Sequence, residues 1–402
     1  MKTITAATEL EDTAKAVTQI IQVLNEAGDA PMLIKVSYTE QHDPKVIADG
    51  LATAFPEAEI IGGSTHAGLF TESGVFGFGK PALGAFAVWD NEADIGVAME
   101  PVTDSMDSEQ TIQALTKAID RAQEDADRVG ELPDLIWIYT SPGLEETSIA
   151  TIADTFGDGI SVVGMSVADN GMTASWSMFD KAGVASSGIG IALFYTTEAV
   201  SHYIQSGFMP TGQTGTVTEA DGRGLISIDG RPAREVFEDW CGHPCVTETG
   251  QVSYEQMGLA SIAHRVGESR MNNGAVIEDY YLMSPVLSDG SDLTMVANPH
   301  QGEKIYMMRG EKGSMHNRLR KVTQQTLQTS SDLGEVSGGL VVMCAGYAMA
   351  MQKDAITSIE SLIETFDGVP MLGTMGYGEQ GTFPNGKCIH GNWMVSSTIL
   401  SA

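Results

Sequence analysis

Three stretches of the chain repeat one order of hydrophobic and polar positions. Each stretch opens with an uninterrupted apolar run of strand length, continues with apolar positions at helical spacing, and closes with a short apolar run that ends at a glycine. An uninterrupted apolar run is typical of a strand buried on both faces, and the helical spacing is typical of a helix that covers a sheet. The opening runs are residues 33–38, 135–140 and 340–345, and the closing glycines are Gly62, Gly164 and Gly373.

This order predicts three β-α-β units, in each of which a helix joins two parallel strands by a right-handed crossover. The opening residue and the closing glycine are 29 positions apart in the first two units and 33 apart in the third. Strand-like segments follow at 81–89, 188–195 and 393–400, and we expect them to join the same sheets as antiparallel strands. The predicted fold is therefore α/β, with repeated β-α-β units and mixed parallel and antiparallel sheets.

Residues 200–310 show a different pattern, with short strand-like segments in place of a β-α-β unit. Asp229-Gly230 is a dipeptide typical of hairpin turns, and a helix is predicted to begin near Pro232. We place the boundary between two closely packed halves in this region. The predicted halves are residues 25–215 and 216–402.

Composition narrows the class of protein. Apolar residues make up 42% of the chain and charged residues 19%, as in ordinary globular proteins. No apolar run approaches the roughly 18 residues that cross a bilayer, and the N-terminal segment lacks the apolar core of a signal peptide, so we expect a cytoplasmic protein. A net charge of −31 repels phosphate groups, and this disfavours nucleic acid and membranes as partners.

Motifs at three separated places resemble the FIST family (F-box and intracellular signal transduction). They are IIGGSTHAGLF at 60–70, the segment GTVTEADGRGLISIDGRPAREVFEDW at 215–240, and Cys344 followed by VPMLGTMGYGEQG and IHGNWMVSSTIL. The resemblance spans approximately residues 30–400. It implies two FIST halves that form a sensory domain for small ligands, coupled to two-component or cyclic-di-GMP signalling.

The resemblance also implies candidate ligands and partners. One branch of stand-alone FIST proteins binds haem b, senses nitric oxide and controls a histidine kinase. Other ligands left open are amino acids and related small metabolites. The implied partner is a histidine kinase or a diguanylate cyclase, and a homodimer is compatible with the sequence.

The glycine turns are the predicted ligand cradle, because ligands of open α/β sheets bind at the carboxyl ends of the strands. Glycine allows positive φ and lets backbone N–H groups approach a ligand closely. Glu379 is expected to hold an ammonium or amide group of the ligand. The alternative is that the glycines form tight turns only and that Glu379 makes a structural contact. The predicted ligand-binding residues are Gly62, Gly63, Ser64, Thr65, His66, Gly164, Cys344, Gly373, Gly376, Tyr377, Gly378 and Glu379.

Haem would require an axial ligand, and we select His66, His316 and His390 as candidates. No catalytic residue is predicted, because the chain contains neither a Gly-x-Ser-x-Gly elbow nor a phosphate loop. The alternative to a sensor is a thiol- or metal-dependent enzyme. It would use Cys344, or Cys241 and Cys245 with His243 between them.

Overall fold

A computed structural model describes residues 1–103, 107–247, 249–253, 259–271, 273–329 and 333–402. Asp12, Asp43 and Asp107 each cap the start of a helix by accepting hydrogen bonds from backbone N–H groups of its first turn. The described helices are α1 (Thr13–Asn25), α2 (Pro44–Ala54), α3 (Ser108–Asp125), α4 (Glu145–Phe156), α5 (Ala233–Cys241), α6 (Lys312–Thr326), α7 (Ala345–Met351) and α8 (Lys353–Phe366). No helix in the described ranges is long and apolar enough to cross a membrane.

Three six-stranded sheets share one plan. In sheet order, the first contains β1 (Lys2–Thr8), β6 (Leu83–Trp89), β2 (Leu33–Tyr38), β3 (Glu59–Ser64), β10 (Met178–Asp180) and β11 (Val184–Ala185). The second contains β25 (Cys388–Gly391), β24 (Glu379–Thr382), β9 (Ser161–Ser166), β8 (Leu135–Thr140), β12 (Gly188–Tyr195) and β7 (Asp94–Pro101). The third contains β13 (Val200–Ser206), β26 (Met394–Ser401), β22 (Val336–Cys344), β23 (Met371–Gly376), β4 (Gly68–Thr71) and β5 (Gly74–Gly77).

Each of these sheets is built around the parallel pair that the repeat predicts. The pairs are β2–β3, β8–β9 and β22–β23. The third strand of each unit, β6, β12 or β26, joins its sheet in antiparallel orientation. The predicted α/β class with mixed sheets is therefore confirmed.

The hairpin that follows each β-α-β unit pairs with the sheet of another unit. Hairpin β4–β5 of the first unit extends the third sheet, β10–β11 of the second unit extends the first sheet, and β24–β25 of the third unit extends the second sheet. The exchange closes a ring of three units. It also covers one edge of each parallel pair, which would otherwise present unpaired backbone groups.

A fourth, antiparallel sheet is formed by the region that departs from the repeat. In sheet order it contains β18 (Val276–Met283), β17 (Ala260–Arg270), β21 (Lys304–Gly310), β14 (Phe208–Asp221), β15 (Gly224–Ile228), β20 (Asp292–Met295) and β19 (Pro285–Asp289), with β16 (Arg231–Pro232) paired to β15. Asp229 and Gly230 both have positive φ, 49° and 76°, as the predicted hairpin turn between β15 and β16 requires. Helix α5 follows directly and buries Phe237 in a separate apolar core.

Candidate functional site

The three predicted glycine turns meet at one end of the sheets. The Ala168 N–H donates to the Ser64 carbonyl over 3.1 Å, and the His66 N–H donates to the Met375 carbonyl over 2.9 Å. The Tyr377 N–H completes the ring by donating to the Ser166 carbonyl over 3.1 Å. Each turn therefore binds a turn of another unit through its backbone.

Side chains from all three units meet above this ring. Nδ1 of His66 lies 2.9 Å from the Asp169 carbonyl oxygen, and the Tyr377 hydroxyl donates to Oδ1 of Asp169 over 2.6 Å. Burial opposes ionisation of Asp169, but hydrogen bonds from Tyr377 and from the backbone of Ser175 and Thr173 hold its pKa below the ordinary value. The arrangement is an ordered anionic cap over the turns.

The glycines of the turns are required by close packing and not by positive φ, contrary to the expectation from the sequence. A Cβ at Gly62 would overlap the ring of Phe179, and a Cβ at Gly373 would overlap the ring of Phe70. The other predicted glycines meet side chains or backbone in the same way; they are Gly63 against Tyr139, Gly164 against Ile138, Gly376 against Met165 and Gly378 against His390. Gly62 and Gly373 therefore serve the packing of exchanged hairpins, and all six glycines lie in close contact with protein groups and not in an open cradle.

One exchanged hairpin departs from the pattern of the other two. Phe70 lies opposite Gly373 and Phe179 lies opposite Gly62, whereas Gln380 lies opposite Gly164. The preceding residues are Leu69, Met178 and Glu379. Two hairpins thus carry an apolar dipeptide at these positions, and the third carries the fully buried polar dipeptide Glu379-Gln380. Polar residues at a position that is apolar in the two equivalent hairpins are expected at a functional or strained site.

Glu379 and Cys344, both selected from the sequence, contact each other in the interior. Oε2 of Glu379 accepts the Met394 N–H over 3.1 Å, and the Cys344 thiol hydrogen-bonds the same carboxyl group. Burial raises the pKa of both groups well above their ordinary values. Burial thus disfavours the charged carboxylate that an ammonium ion would require, and Oε2 of Glu379 is already engaged by the Met394 N–H.

Gln380 connects the turn of the second unit to His390. Its Nε2 lies 3.2 Å from Oγ of Ser166 and 3.2 Å from Nδ1 of His390. Nε2 of His390 lies 3.2 Å from the Val296 carbonyl oxygen. With Nδ1 accepting and Nε2 donating, both ring nitrogens of His390 are occupied by protein groups.

An ion-pair network extends from Ser166 to the fourth sheet. The Ser166 hydroxyl donates to Oε1 of Glu145 over 2.5 Å, and Nη2 of Arg223 lies 2.7 Å from Glu145 and 2.8 Å from Glu146. Burial would raise the pKa of Glu145, but the positive charge of His390 in its protonated form, the charge of Arg223 and the Ser166 hydrogen bond lower it overall. Burial also opposes the charge of Arg223, yet the two carboxylates raise its pKa.

A pocket of about 240 Å³ lies beside this network. Helix α4 forms one wall, and segments of the second half form the other. Oε1 of Glu146, in the first wall, accepts the Asn298 N–H of the second wall over 3.0 Å. The lining residues are Glu146, Ile149, Ala150, Ala153, Tyr281, Ala297, Asn298, His300, Cys388, Ile389 and His390.

The remaining candidates lie apart from this pocket. Nδ1 of His316, in helix α6, lies 3.0 Å from Oγ of Ser358. Cys241 and Cys245 interact with each other at the end of α5, where burial raises the pKa of both thiols, and His243 lies beside them. Within the described residues, no three His, Cys, Asp or Glu side chains are placed to hold a metal ion.

Reasoning from the sequence missed the network residues Glu145, Glu146, Ser166, Arg223 and Gln380. A signal for Gln380 was available, because an alignment of the three exchanged hairpins sets Glu379-Gln380 beside Leu69-Phe70 and Met178-Phe179. No comparable signal exists for Arg223, which lies far along the chain from both of its carboxylate partners.

Two family models match consecutive parts of the chain. The FIST N domain matches residues 32–231, and the FIST C domain matches residues 233–382. No curated protein sequence matches the chain significantly.

Similar solved structures include the cyanuric acid hydrolase from A. caulinodans, with 9% identity, all of both chains covered and a TM-score of 0.37. A second structure, of a cyanuric acid hydrolase described as an evolutionary innovation by structural concatenation, has 8% identity and a TM-score of 0.38, with 100% of this chain and 99% of that chain covered. PurLQS from Thermotoga maritima has 11% identity and a TM-score of 0.22, with 100% of this chain and 73% of that chain covered. At these TM-scores the similarities do not bear on function.

Proposed function

We propose that this chain, which belongs to the FIST family, senses a small ligand in the pocket between α4 and the second half and passes its occupancy to a signalling partner. FIST domains are sensory domains of signal transduction, and the FIST N and FIST C domains together match most of the chain. One observation carries the choice of pocket. Its walls come from both halves, and the same carboxylate, Glu146, faces the pocket and binds Arg223 and Asn298 across the junction.

The hydrogen bonds around the pocket supply a route for the signal. A ligand that displaces Glu146 would also disturb Arg223, which contacts Glu145, the acceptor of the Ser166 hydroxyl. A ligand that displaces His390 would disturb Gln380, whose amide donates directly to Oγ of Ser166. The Ser166 backbone belongs to the ring that joins the three turns. A ligand can shift such an equilibrium only by binding one arrangement more tightly than the other.

For the partner we propose a histidine kinase or a diguanylate cyclase, as the family resemblance implies. The strongly negative charge of the chain favours a partner surface of positive charge, because complementary charges speed association. The proposed location remains the cytoplasm, where such partners present their regulatory domains.

A second candidate ligand is haem b, and the geometry favours His66 over His316 and His390 as its axial residue. Nδ1 of His66 faces the Asp169 carbonyl oxygen, which leaves the Nε2 lone pair available, and metal-binding histidines usually have this arrangement. Bound haem would supply an iron that takes nitric oxide. Hemin added to the purified protein should then give a sharp Soret band that is lost in His66→Ala and kept in His316→Ala.

The cysteines support a sensor over a thiol-dependent enzyme. Burial raises the pKa of Cys344 well above its ordinary value and that of Cys388 to about 12. A reactive cysteine requires the opposite shift, because the thiolate is the nucleophile. We therefore propose that the chain has no catalytic activity of its own.

A thermal-shift screen of amino acids and related metabolites tests the sensor pocket. The wild type is compared with Ala150→Trp, which fills the pocket, and with Ala14→Trp, which adds the same side chain to the exposed face of α1. We expect a stabilising compound whose effect is lost in Ala150→Trp and kept in Ala14→Trp. A compound that stabilises all three proteins equally would place the ligand elsewhere.

A further inference from the structure

We infer that the ligand of this pocket carries an organic ammonium group, which Glu146 and Tyr281 receive, on a compact apolar body. This inference rests on the proposed function, because it assigns a chemical class to the ligand of the same pocket. Three features of the pocket support it: the charge of the network, the position of the Tyr281 ring and the character of the remaining wall.

The charge balance beside the pocket is negative. Arg223 is the cation of the network, and it contacts two carboxylates, one fully buried at Glu145 and one facing the pocket at Glu146. His390 is neutral when Nδ1 accepts from Gln380 and Nε2 donates to Val296, so one positive charge then faces two negative charges and the network retains one negative charge. Oε2 of Glu146 already accepts from Arg223 and Oε1 from the Asn298 N–H, but each oxygen keeps a second lone pair towards the pocket, whereas Glu145 is enclosed by Ser166 and the Gly143 N–H.

Tyr281, in the wall opposite α4, also lies in a region of negative charge. Burial raises the pKa of Tyr281, and the charges of Glu303 and Glu146 raise it further. Glu303 pairs with Nδ1 of His264 over 3.2 Å, and the His264 ring packs 5.4 Å from the Tyr281 ring. An ammonium group between Glu146 and the ring would gain a charge-assisted hydrogen bond and a cation–π contact.

The remaining lining residues of the pocket determine which kind of ligand body fits beside the ammonium group. Its wall includes the apolar side chains of Ile149, Ala150, Ala153, Ala297 and Ile389, and none of its described lining residues is Lys or Arg. With the lining histidines His300 and His390 in their neutral forms, an anionic ligand would meet the Glu146 carboxylate and uncharged groups. A volume of about 240 Å³ equals about eight water molecules at liquid density, which suits a molecule of roughly ten non-hydrogen atoms or fewer.

A matched set of three probes tests the inference directly. Isoamylamine, isoamyl alcohol and isovalerate share one branched body and differ in a positive, neutral or negative head group. Calorimetric titrations at pH 7 and low salt are made with the wild type, Glu146→Gln, Glu303→Gln and Ala150→Trp, and the melting temperature of each variant confirms folding. We expect the amine to bind about tenfold more tightly than the alcohol, because a hydrogen bond to a charged group exceeds a neutral one, and isovalerate to bind most weakly.

The variants separate this inference from the proposed function. Glu146→Gln should remove most of the advantage of the amine while leaving the affinity for the alcohol, and Glu303→Gln should reduce that advantage by a smaller factor. If alcohol or isovalerate binds at least as tightly as the amine and Ala150→Trp abolishes that binding, the ammonium inference is wrong and the sensor pocket stands. If the amine binds equally well to Ala150→Trp, both the ammonium site and the proposed pocket are wrong. If none of the probes binds, the ammonium inference fails, and the metabolite screen decides the sensor pocket by itself.

Discussion

The amide nitrogen of Gln380 lies 3.2 Å from Nδ1 of His390, and this contact joins an exchanged hairpin to the wall of the pocket. Phe70 and Phe179 occupy the equivalent hairpin positions in the other two sheets, so the polar contact is particular to the second sheet.

Gln380→Leu should lower the free energy of unfolding by about 1–3 kcal/mol, because buried His390 loses the donor to its Nδ1. The affinity for any ligand of the pocket should fall as well. Urea denaturation and the ligand titrations measure the two effects, and Gln113→Leu on α3 is the control for loss of an exposed glutamine. An unchanged ligand affinity would exclude Gln380 from the signalling route.

Arg223→Gln should destabilise the protein by about 2–4 kcal/mol at pH 7, because it leaves the buried Glu145 carboxylate without its cation. The folded state lowers the pKa of Glu145, so its contribution to stability is present at neutral pH and is lost as the pH falls through the folded pKa. The effect of the substitution should therefore shrink towards acidic pH.

Urea denaturation at pH 7 and at pH 4 checks this expectation for Arg223. The control is Arg231→Gln, which removes an exposed arginine paired with Asp239 and should leave stability nearly unchanged, because solvent screens an exposed ion pair. Equal losses for Arg223 and Arg231 would show that the network contributes no more than a surface ion pair.

Lys35→Met should stabilise the protein by on the order of a few kcal/mol at pH 7, because burial disfavours the charged form of this lysine more than the lost ring contacts favour it. Lys35 is buried between the sheets against the rings of Trp137 and Tyr139, and burial lowers its pKa to about 7. The unfolded lysine, with an ordinary pKa of about 10.4, binds more protons than the folded one between these values, so wild-type stability should rise with pH from about 7 to about 10.

The slope of stability against pH is the decisive measurement for Lys35. Urea denaturation at pH 7, 8 and 9 should show a rise in the wild type that is absent in Lys35→Met. Lys15→Met, at an exposed position of α1, should keep the wild-type slope. A wild-type slope in Lys35→Met would mean that another group titrates.

Gly373→Ala should destabilise the protein by about 1–3 kcal/mol, because its Cβ would overlap the ring of Phe70 from the exchanged hairpin. The double variant Gly373→Ala with Phe70→Leu should lose less than the sum of the two single variants. Gly183→Ala is the control, since its Cβ would meet no atom within 4 Å. Additive losses, measured by thermal unfolding, would contradict the proposed overlap.

Cys344 should react slowly with iodoacetamide in the native protein and rapidly in urea, because its thiol is buried and its pKa is raised. Mass spectrometry of peptides after timed labelling measures both rates. Cys344→Ser should leave the control of a signalling partner intact. Rapid native labelling together with loss of function in Cys344→Ser would favour the thiol-dependent alternative.

Several elements of the fold could be predicted because their signals are local. The run 188–195 became β12 without any shift of its bounds, and the helix expected near Pro232 begins at Ala233. The exchange of hairpins could not be predicted in this way. The pattern Gly68–Thr71 indicates a short strand, but it does not indicate which of three similar sheet edges that strand will join.

For the candidate site too, the sequence identified some residues but not the contacts they make. The sequence selected His390, Cys344 and Glu379, yet it did not indicate that Cys344 and Glu379 would form a hydrogen bond in the interior while His390 lines a pocket.

By itself the sequence determined the three β-α-β units and the positions of the turns, because hydrophobic period and glycine placement act over a few residues. Only the tertiary structure decided which hairpin covers which sheet and which carboxylates share Arg223. These pairings depend on strand edges and charged groups that are far apart along the chain, so no local sequence pattern predicts which of them come into contact.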